Sequence, residues 1–215
     1  LDAVRMAEPE RVLCVFQPHL YSRTKFFCDE FAQVLARALV CLDPAKIHDL
    51  HMLQSCLHLP EHLQVFEKGV ARRLDVSYAG PQAERLAEMI RSGSIELGSV
   101  HTYVELYSRY FIDLTPRVAL IAAVSADVDG NLYTGPNTEE TPLIVEATKC
   151  RQGIVIAQVE QVVEQLPRVD IPADWVDYIV AVDKPCQCEP LFTRDPAKIT
   201  DQSILIAMMV IKGIY

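Results

Sequence analysis

An α/β fold on a mainly parallel sheet with flanking helices is predicted by three features of the sequence. Two runs, VALIAAV at residues 118–124 and GIVIAQV at 153–159, are almost wholly apolar. A strand with no polar side is buried on both faces, as happens in parallel sheets. Short apolar segments also alternate along the chain with segments of helical period, the order that builds βαβ units. Finally, half of the 215 residues are hydrophobic, enough to fill a core on each side of a sheet.

The elements follow in order. Residues 11–17 (RVLCVFQ) form a short apolar run stopped by Pro18 and read as a buried strand, followed by a polar loop, HLYSRT, at 19–24. Phe27, Phe31, Val34, Leu35 and Ala38 recur at helical spacing. They predict a helix over 25–42, with Thr24 as its cap and Asp43-Pro44 as its stop. The pattern repeats with a strand at 46–53, a helix at 60–70 and a strand at 74–78. After the turn Gly80-Pro81, Pro81 opens a helix that runs to 91. A strand at 95–100 and a tyrosine-rich helix at 101–111 lead to the apolar strand at 118–124. Beyond it come a polar loop at 125–141, a helix at 142–149 and the strand at 153–159. A linker-like stretch with two prolines at 163–174, a strand at 175–182 and a final helix at 199–214 complete the chain.

Composition excludes several functions. A net charge of −9 opposes non-specific nucleic-acid binding, which needs Lys and Arg against phosphates. Arg72, Arg73 and Lys184 are candidates for a local basic pocket, although ordinary surface charge explains them as well. No apolar run approaches the roughly 20 residues of a membrane span. The longest, at 204–211, reads as a helix-sized core stretch, and residues 1–10 lack the apolar centre of a signal peptide. No polar tail follows the final helix, which suggests a longer parent protein. The seven cysteines are odd in number and form no disulfide framework, so reduced thiols are expected. Cys186 and Cys188 have no partners at zinc-ligand spacing nearby, and no metal is expected. His48, His51, His58 and His62 fall partly in a strand and are expected not to share a face.

Ligands of open α/β sheets lie beyond the carboxyl ends of the strands. The loop 125–141 (SADVDGNLYTGPNTEET) is placed there. Asp129-Gly130-Asn131 signals a turn, and Gly135 permits unusual backbone angles. Asn137 and the hydroxyls of Thr138 and Thr141 can cap the following helix or hold a polar ligand. The helix start suits a carboxylate or phosphate. Capping alone accounts for the same letters, and Glu139 and Glu140 oppose an anion unless they point away. The loop 18–24 offers His19, Ser22, Arg23 and Thr24 but no third group to complete a nucleophilic triad. The eight glycines show neither phosphate-loop nor dinucleotide spacing.

From about Ala36 onward the sequence resembles the malonate decarboxylase alpha-subunit family. The strings that carry this are LDPAKIHDLHM (42–52), LPEHLQVFEKGVARRLD (59–75), DGNLYTGPNTEETPLIVEAT (129–148), LPRVDIPADWVDYIV (166–180), EPLFTRDPAKI (189–199) and AMMVIKGIY (207–215). The resemblance implies a coenzyme A transferase-like fold, of which residues 1–215 are the first half and one domain. It implies exchange of acetyl for malonyl on an acyl carrier protein. The carrier's thiol would belong to a phosphoribosyl-dephospho-coenzyme A group. Separate beta and gamma subunits would decarboxylate the malonyl thioester in a cytoplasmic complex acting on malonate, without nucleic acid or membrane. Gly135, Asn137 and Thr138 are the expected substrate contacts. The glutamate that carries the acyl group in coenzyme A transferases would fall in the second half of the fold, so no catalytic residue is assigned.

Residues 1–37 resemble instead the start of the last domain of UDP-N-acetylmuramate–alanine ligases, through VFQPHLYSRTKFFCDEFAQVLARA (15–38). There His19 and Arg23 match a polar loop facing a nucleotide sugar, while Leu20 stands where that family commonly has a basic residue. The segment is expected as a strand-loop-helix opening of the transferase-like domain. Two other readings stand beside acyl exchange: a non-catalytic assembly module of the complex, and a nucleotide-sugar-binding ligase fragment.

Overall fold

The computed structural model describes residues 4–5, 25–29, 31–135, 140–183 and 199–214. In chain order the elements are β1 (Val4–Arg5), β2 (Lys25–Cys28), α1 (Gln33–Val40), β3 (Leu50–Cys56), α2 (Glu61–Glu67), β4 (Ala71–Tyr78), α3 (Ala83–Arg91) and β5 (Glu96–Val100). They continue with α4 (Tyr103–Ile112), β6 (Val118–Asp127), β7 (Leu132–Tyr133), α5 (Thr141–Cys150), β8 (Ile154–Val163), β9 (Tyr178–Ala181) and α6 (Asp201–Ile214). The strands form one sheet in the order β1-β9-β8-β6-β2-β3-β4-β5, with β7 added on β6. The β6–β7 pair is antiparallel and the rest are parallel.

Alternation along the strands divides the core in two. On one face Phe26, Leu50, Met52, Leu74, Val118 and Leu120 pack with α1, α2 and α3. On the other, Phe27, Leu53, Ala119, Ile121, Val155 and Ala157 pack with α4 and α5. Burial of both faces is why β6 and β8 need no polar side. Chain order runs outward from β2 through β3, β4 and β5 on one side, and from β6 through β8 and β9 on the other. The reversal falls between β2 and β6, the topological switch point at which such sheets open a crevice.

Several expectations are corrected. Residues 25–42 are not one helix: Lys25–Cys28 is a strand between β3 and β6, and the helix starts at Gln33. Phe27 and Phe31 match helical spacing, but Phe26, Phe27 and Cys28 are all buried, as only a strand covered on both faces allows. The strand expected from residue 46 begins at Leu50, because the Asp43 carbonyl and carboxylate bind the amides of Ile47 and Ala45 in a local turn. Residues 125–127 belong to β6 rather than to a loop, since Ser125 and Ala126 pair with Tyr133 and Leu132. Trp175 lies in a short 3-10 turn, outside β9. The apolar stretch 204–211 is helical but not core: Ile204, Leu205, Met208 and Ile211 are half exposed or more. No described element lies against that helix to bury them.

Tyr110 of α4 is buried between sheet and helix. Its ring is edge-on to Phe27 at 5.9 Å and stacked with Tyr107 at 6.5 Å. Its hydroxyl has no hydrogen-bond partner among the described residues. A buried hydroxyl without a partner loses its hydration for nothing. Tyr110→Phe is therefore expected to raise stability by about 1 kcal/mol, read as a higher urea midpoint at unchanged slope. A lower midpoint would show that the hydroxyl is satisfied.

Candidate active site at the centre of the sheet

The carboxyl end of β6 turns back through a tight hairpin into β7. Asp127 builds the turn: its carboxylate accepts from the main-chain N–H groups of Asp129 (3.0 Å) and Asn131 (2.8 Å) and from the Asn131 side-chain amide (2.8 Å). Those bonds offset its burial and hold its carboxyl below the ordinary range. Asn131 in turn accepts from the Ala173 N–H at 2.9 Å, and Leu132 bridges Ile171. Residues 163–174, expected as a linker, are thus docked on the hairpin.

The hairpin delivers Thr134 and Gly135. Asp170 accepts from both the N–H (2.9 Å) and the hydroxyl (2.8 Å) of Thr134. Arg168 donates from Nη2 to the Gly135 carbonyl (2.7 Å) and from Nε to Asp170 (2.6 Å), with its guanidinium 5.1 Å from the Tyr133 ring centre. Burial opposes ionisation of Asp170, but the bonds from Arg168 and Thr134 win and lower its pKa. Gly135 has φ +111°, and a Cβ there would meet Val124 Cγ2 at 3.0 Å. Glycine is required at this turn on both counts.

Across the switch point, Asp29 is buried at the end of β2. Burial raises its pKa, against bonds from the Phe31 N–H and the Thr141 hydroxyl, each at 2.9 Å. Thr141, expected among the capping residues, opens α5 and spends its hydroxyl on Asp29. Gln158 of β8 accepts from the Val34 N–H at 2.9 Å, so the turn after β2 is held over the same end of the sheet. The structure therefore brings Gly135, Thr141 and Asp29 to one end of the central strands. Asn137 and Thr138, like His19, Arg23, Lys184, Cys186 and Cys188, lie outside the described residues.

A second polar cluster escaped the sequence reading. Asp75 in β4 accepts from Nε2 of His51 in β3 at 2.6 Å and from Nε2 of His101, just past β5, at 2.7 Å. An ionised carboxylate only accepts, so both imidazoles carry their proton on Nε2. Glu105 of α4 lies 3.3 Å from Nδ1 of His101, and Arg73 lies 3.7 Å from Asp75. Burial would raise the Asp75 pKa, but the two histidines outweigh it and hold the carboxyl at about 2. The signal in the sequence was an aspartate at an inward position of the run LDV.

The remaining histidines do not gather. His48 is exposed beside Asp49, His58 lies against Phe31, and His62 is buried in α2, where desolvation lowers its pKa to about 4. Arg72 and Arg73 are partly exposed and face Asp49, Asp75 and Glu96 at 3.7–3.9 Å, an acidic setting that does not form a basic pocket. Among the described residues no helix is long and apolar enough to cross a membrane.

With this geometry in place, comparison with known proteins is specific. A 39-residue stretch is 56% identical to a UDP-N-acetylmuramate–L-alanine ligase of Bifidobacterium adolescentis, covering 18% of this chain and 8% of that enzyme. At the level of fold, an acyl-CoA transferase of E. coli O157:H7 superposes with a TM-score of 0.65 at 14% identity, over 83% of this chain and 49% of that one. Much nearer is a Pseudomonas malonate decarboxylase hetero-tetramer solved with malonate, with a TM-score of 0.85 and 46% identity over 99% of this chain and 40% of that one. The acetyl-S-ACP:malonate ACP transferase of Malonomonas rubra is 58% identical over 184 residues, 86% of this chain and 33% of that protein. The chain thus spans about a third of the length of this curated relative. The family described as malonate decarboxylase, alpha subunit, transporter matches residues 27–215, and the chain belongs to that family.

Proposed function

We propose that the chain carries an acyl-exchange site of a malonate decarboxylase alpha subunit, at which malonate displaces acetate from an acetyl thioester on an acyl carrier protein. The observation that carries this reading is the Thr134–Gly135 turn, pinned beside the switch point and leading in sequence to the start of α5. The naming of the Malonomonas rubra relative for the same exchange supports it, as does the malonate in the Pseudomonas structure. Gly135, Asn137 and Thr138 contact the acyl or carboxylate group. Main-chain N–H groups of this loop steady the oxyanion that thioester exchange develops, and the start of α5 adds the positive end of its dipole.

In the same reading the carrier thiol belongs to a phosphoribosyl-dephospho-coenzyme A group. Beta and gamma subunits consume the malonyl thioester, and the complex is cytoplasmic. Residues 1–215 act as one coenzyme A transferase-like domain, with 1–37 a ligase-like opening. The test is intact-mass analysis of an acetyl-loaded carrier protein incubated with this chain and malonate. Conversion to malonyl-carrier is expected. A folded chain that converts none, beside an active full-length alpha subunit, would overturn the reading.

A second reading, a non-catalytic assembly module, is favoured by α6. Its apolar side chains from Ile204 to Ile211 are exposed all round, as in a helix that completes its packing against another part of an assembly. Self-association without acyl exchange is the result that would favour it.

A further inference from the structure

Residues 163–174 have the composition of a linker, yet two of their side chains converge on the turn of the proposed acyl site. We propose that Arg168 and Asp170 are positioning residues that lock the Thr134–Gly135 turn in its exchange-competent geometry. This rests on the reading of Gly135 as part of the acyl site.

Three observations carry the inference. Asp170 takes both polar hydrogens of Thr134, the residue before the turn, at 2.9 and 2.8 Å. Arg168 donates to the Gly135 carbonyl at 2.7 Å, so the peptide entering Thr134 and the peptide leaving Gly135 are each held by a side chain, one at each end of the Thr134–Gly135 turn. Arg168 and Asp170 are also bonded to each other at 2.6 Å, and Tyr133 lies 5.1 Å from the guanidinium. The two locks therefore move as one unit.

An exposed ion pair used only for stability contributes little. Here the bonds converge on a glycine at φ +111°, a conformation that the local chain does not select by itself. Gly135 is the residue from which the chain runs on to Asn137 and Thr138. Fixing its carbonyl fixes the direction in which the loop leaves the hairpin. The planar fork of arginine reaches two acceptors at fixed angles, whereas a lysine ammonium keeps the charge without that geometry. Charge alone is not what the site requires.

The test compares wild type, Arg168→Lys and Asp170→Asn in the acetyl-to-malonyl carrier assay, with hydrogen exchange at the Thr134 amide and thermal unfolding on the same samples. Because misplacement by an ångström slows a positioned reaction steeply, kcat per folded chain is expected to fall roughly 10- to 100-fold in both variants. KM for the acetyl-carrier should stay within about threefold, since binding by the rest of the surface is untouched. Faster exchange at Thr134 should accompany the loss. A purely structural pair would lower the unfolding temperature and leave kcat per folded chain unchanged, and that result overturns the proposal. If wild type itself folds but exchanges no acyl group, the acyl reading falls and the positioning role falls with it. If wild type is active and Arg168→Lys matches it, the positioning role alone is lost.

Discussion

Asp75→Ala is expected to cost the fold about 3–5 kcal/mol, the penalty for leaving two buried imidazole N–H donors without their charged acceptor. The carboxylate is the shared acceptor of two buried imidazoles, His51 in the neighbouring strand β3 and His101 just past β5, at 2.6 and 2.7 Å. Alanine leaves two N–H donors facing each other across a gap that a methyl group does not fill. The site is also built tightly around the carboxylate: a Cβ on Gly98 of β5 would meet the Asp75 carboxyl carbon at 2.7 Å. Urea unfolding at pH 7 measures the effect. A loss below about 1 kcal/mol would place the cluster among ordinary surface pairs.

The same residue sets an acid dependence. The folded carboxyl titrates at about 2, below its ordinary value of 3.8. A depressed carboxyl contributes its stability above the unfolded pKa and loses it as pH falls through the folded one. Wild type should therefore lose this contribution between about pH 4 and pH 2, and Asp75→Ala should lack that part of the acid transition. Parallel acid profiles for the two chains would show that the histidines do not hold the proton equilibrium.

How much of this was legible depends on the range of each interaction. β6 and β8 declare themselves because VALIAAV and GIVIAQV are almost wholly apolar, and α3 because the Gly80-Pro81 turn marks its start. The run KFFC fits a helix as readily as a strand because three apolar residues are too few to show a period, and only burial on both faces decides it. Residues 163–174 read as a linker because their two prolines suggest no pairing. Their role appears in contacts with residues more than thirty positions away, Arg168 with Gly135 and Asp170 with Thr134. His51, Asp75 and His101 are separated by 24 and 26 positions and meet only through strand order, which no local pattern encodes. Gly135 was legible for the opposite reason: a glycine in a polar loop after a buried strand has few roles other than a turn with positive φ.

That glycine gives the sharpest functional prediction. Gly135→Val is expected to slow acyl exchange by about a hundredfold or more, the scale on which misplacing a reacting group acts. Valine is β-branched, and φ +111° is a conformation it adopts only under strain of about 1–3 kcal/mol. Its Cβ would also press on Val124 Cγ2 at 3.0 Å, in a strand that cannot yield without disturbing its pairing with β8. The turn therefore relaxes instead, breaking the carbonyl bond to Arg168 and turning the loop that leads to Asn137 and Thr138. Gly135→Ala carries the backbone strain with less steric pressure and should fall between wild type and valine. Initial rates of malonyl-carrier formation, corrected for folded fraction, measure the series. A graded loss in that order, persisting in the rates after correction for folded fraction although the strain lowers the unfolding temperature by several degrees, is the signature of a turn that shapes the site. An active Gly135→Val chain would move the acyl group elsewhere along the carboxyl ends of the strands, with Asp29 and the turn after β2 the next place to look.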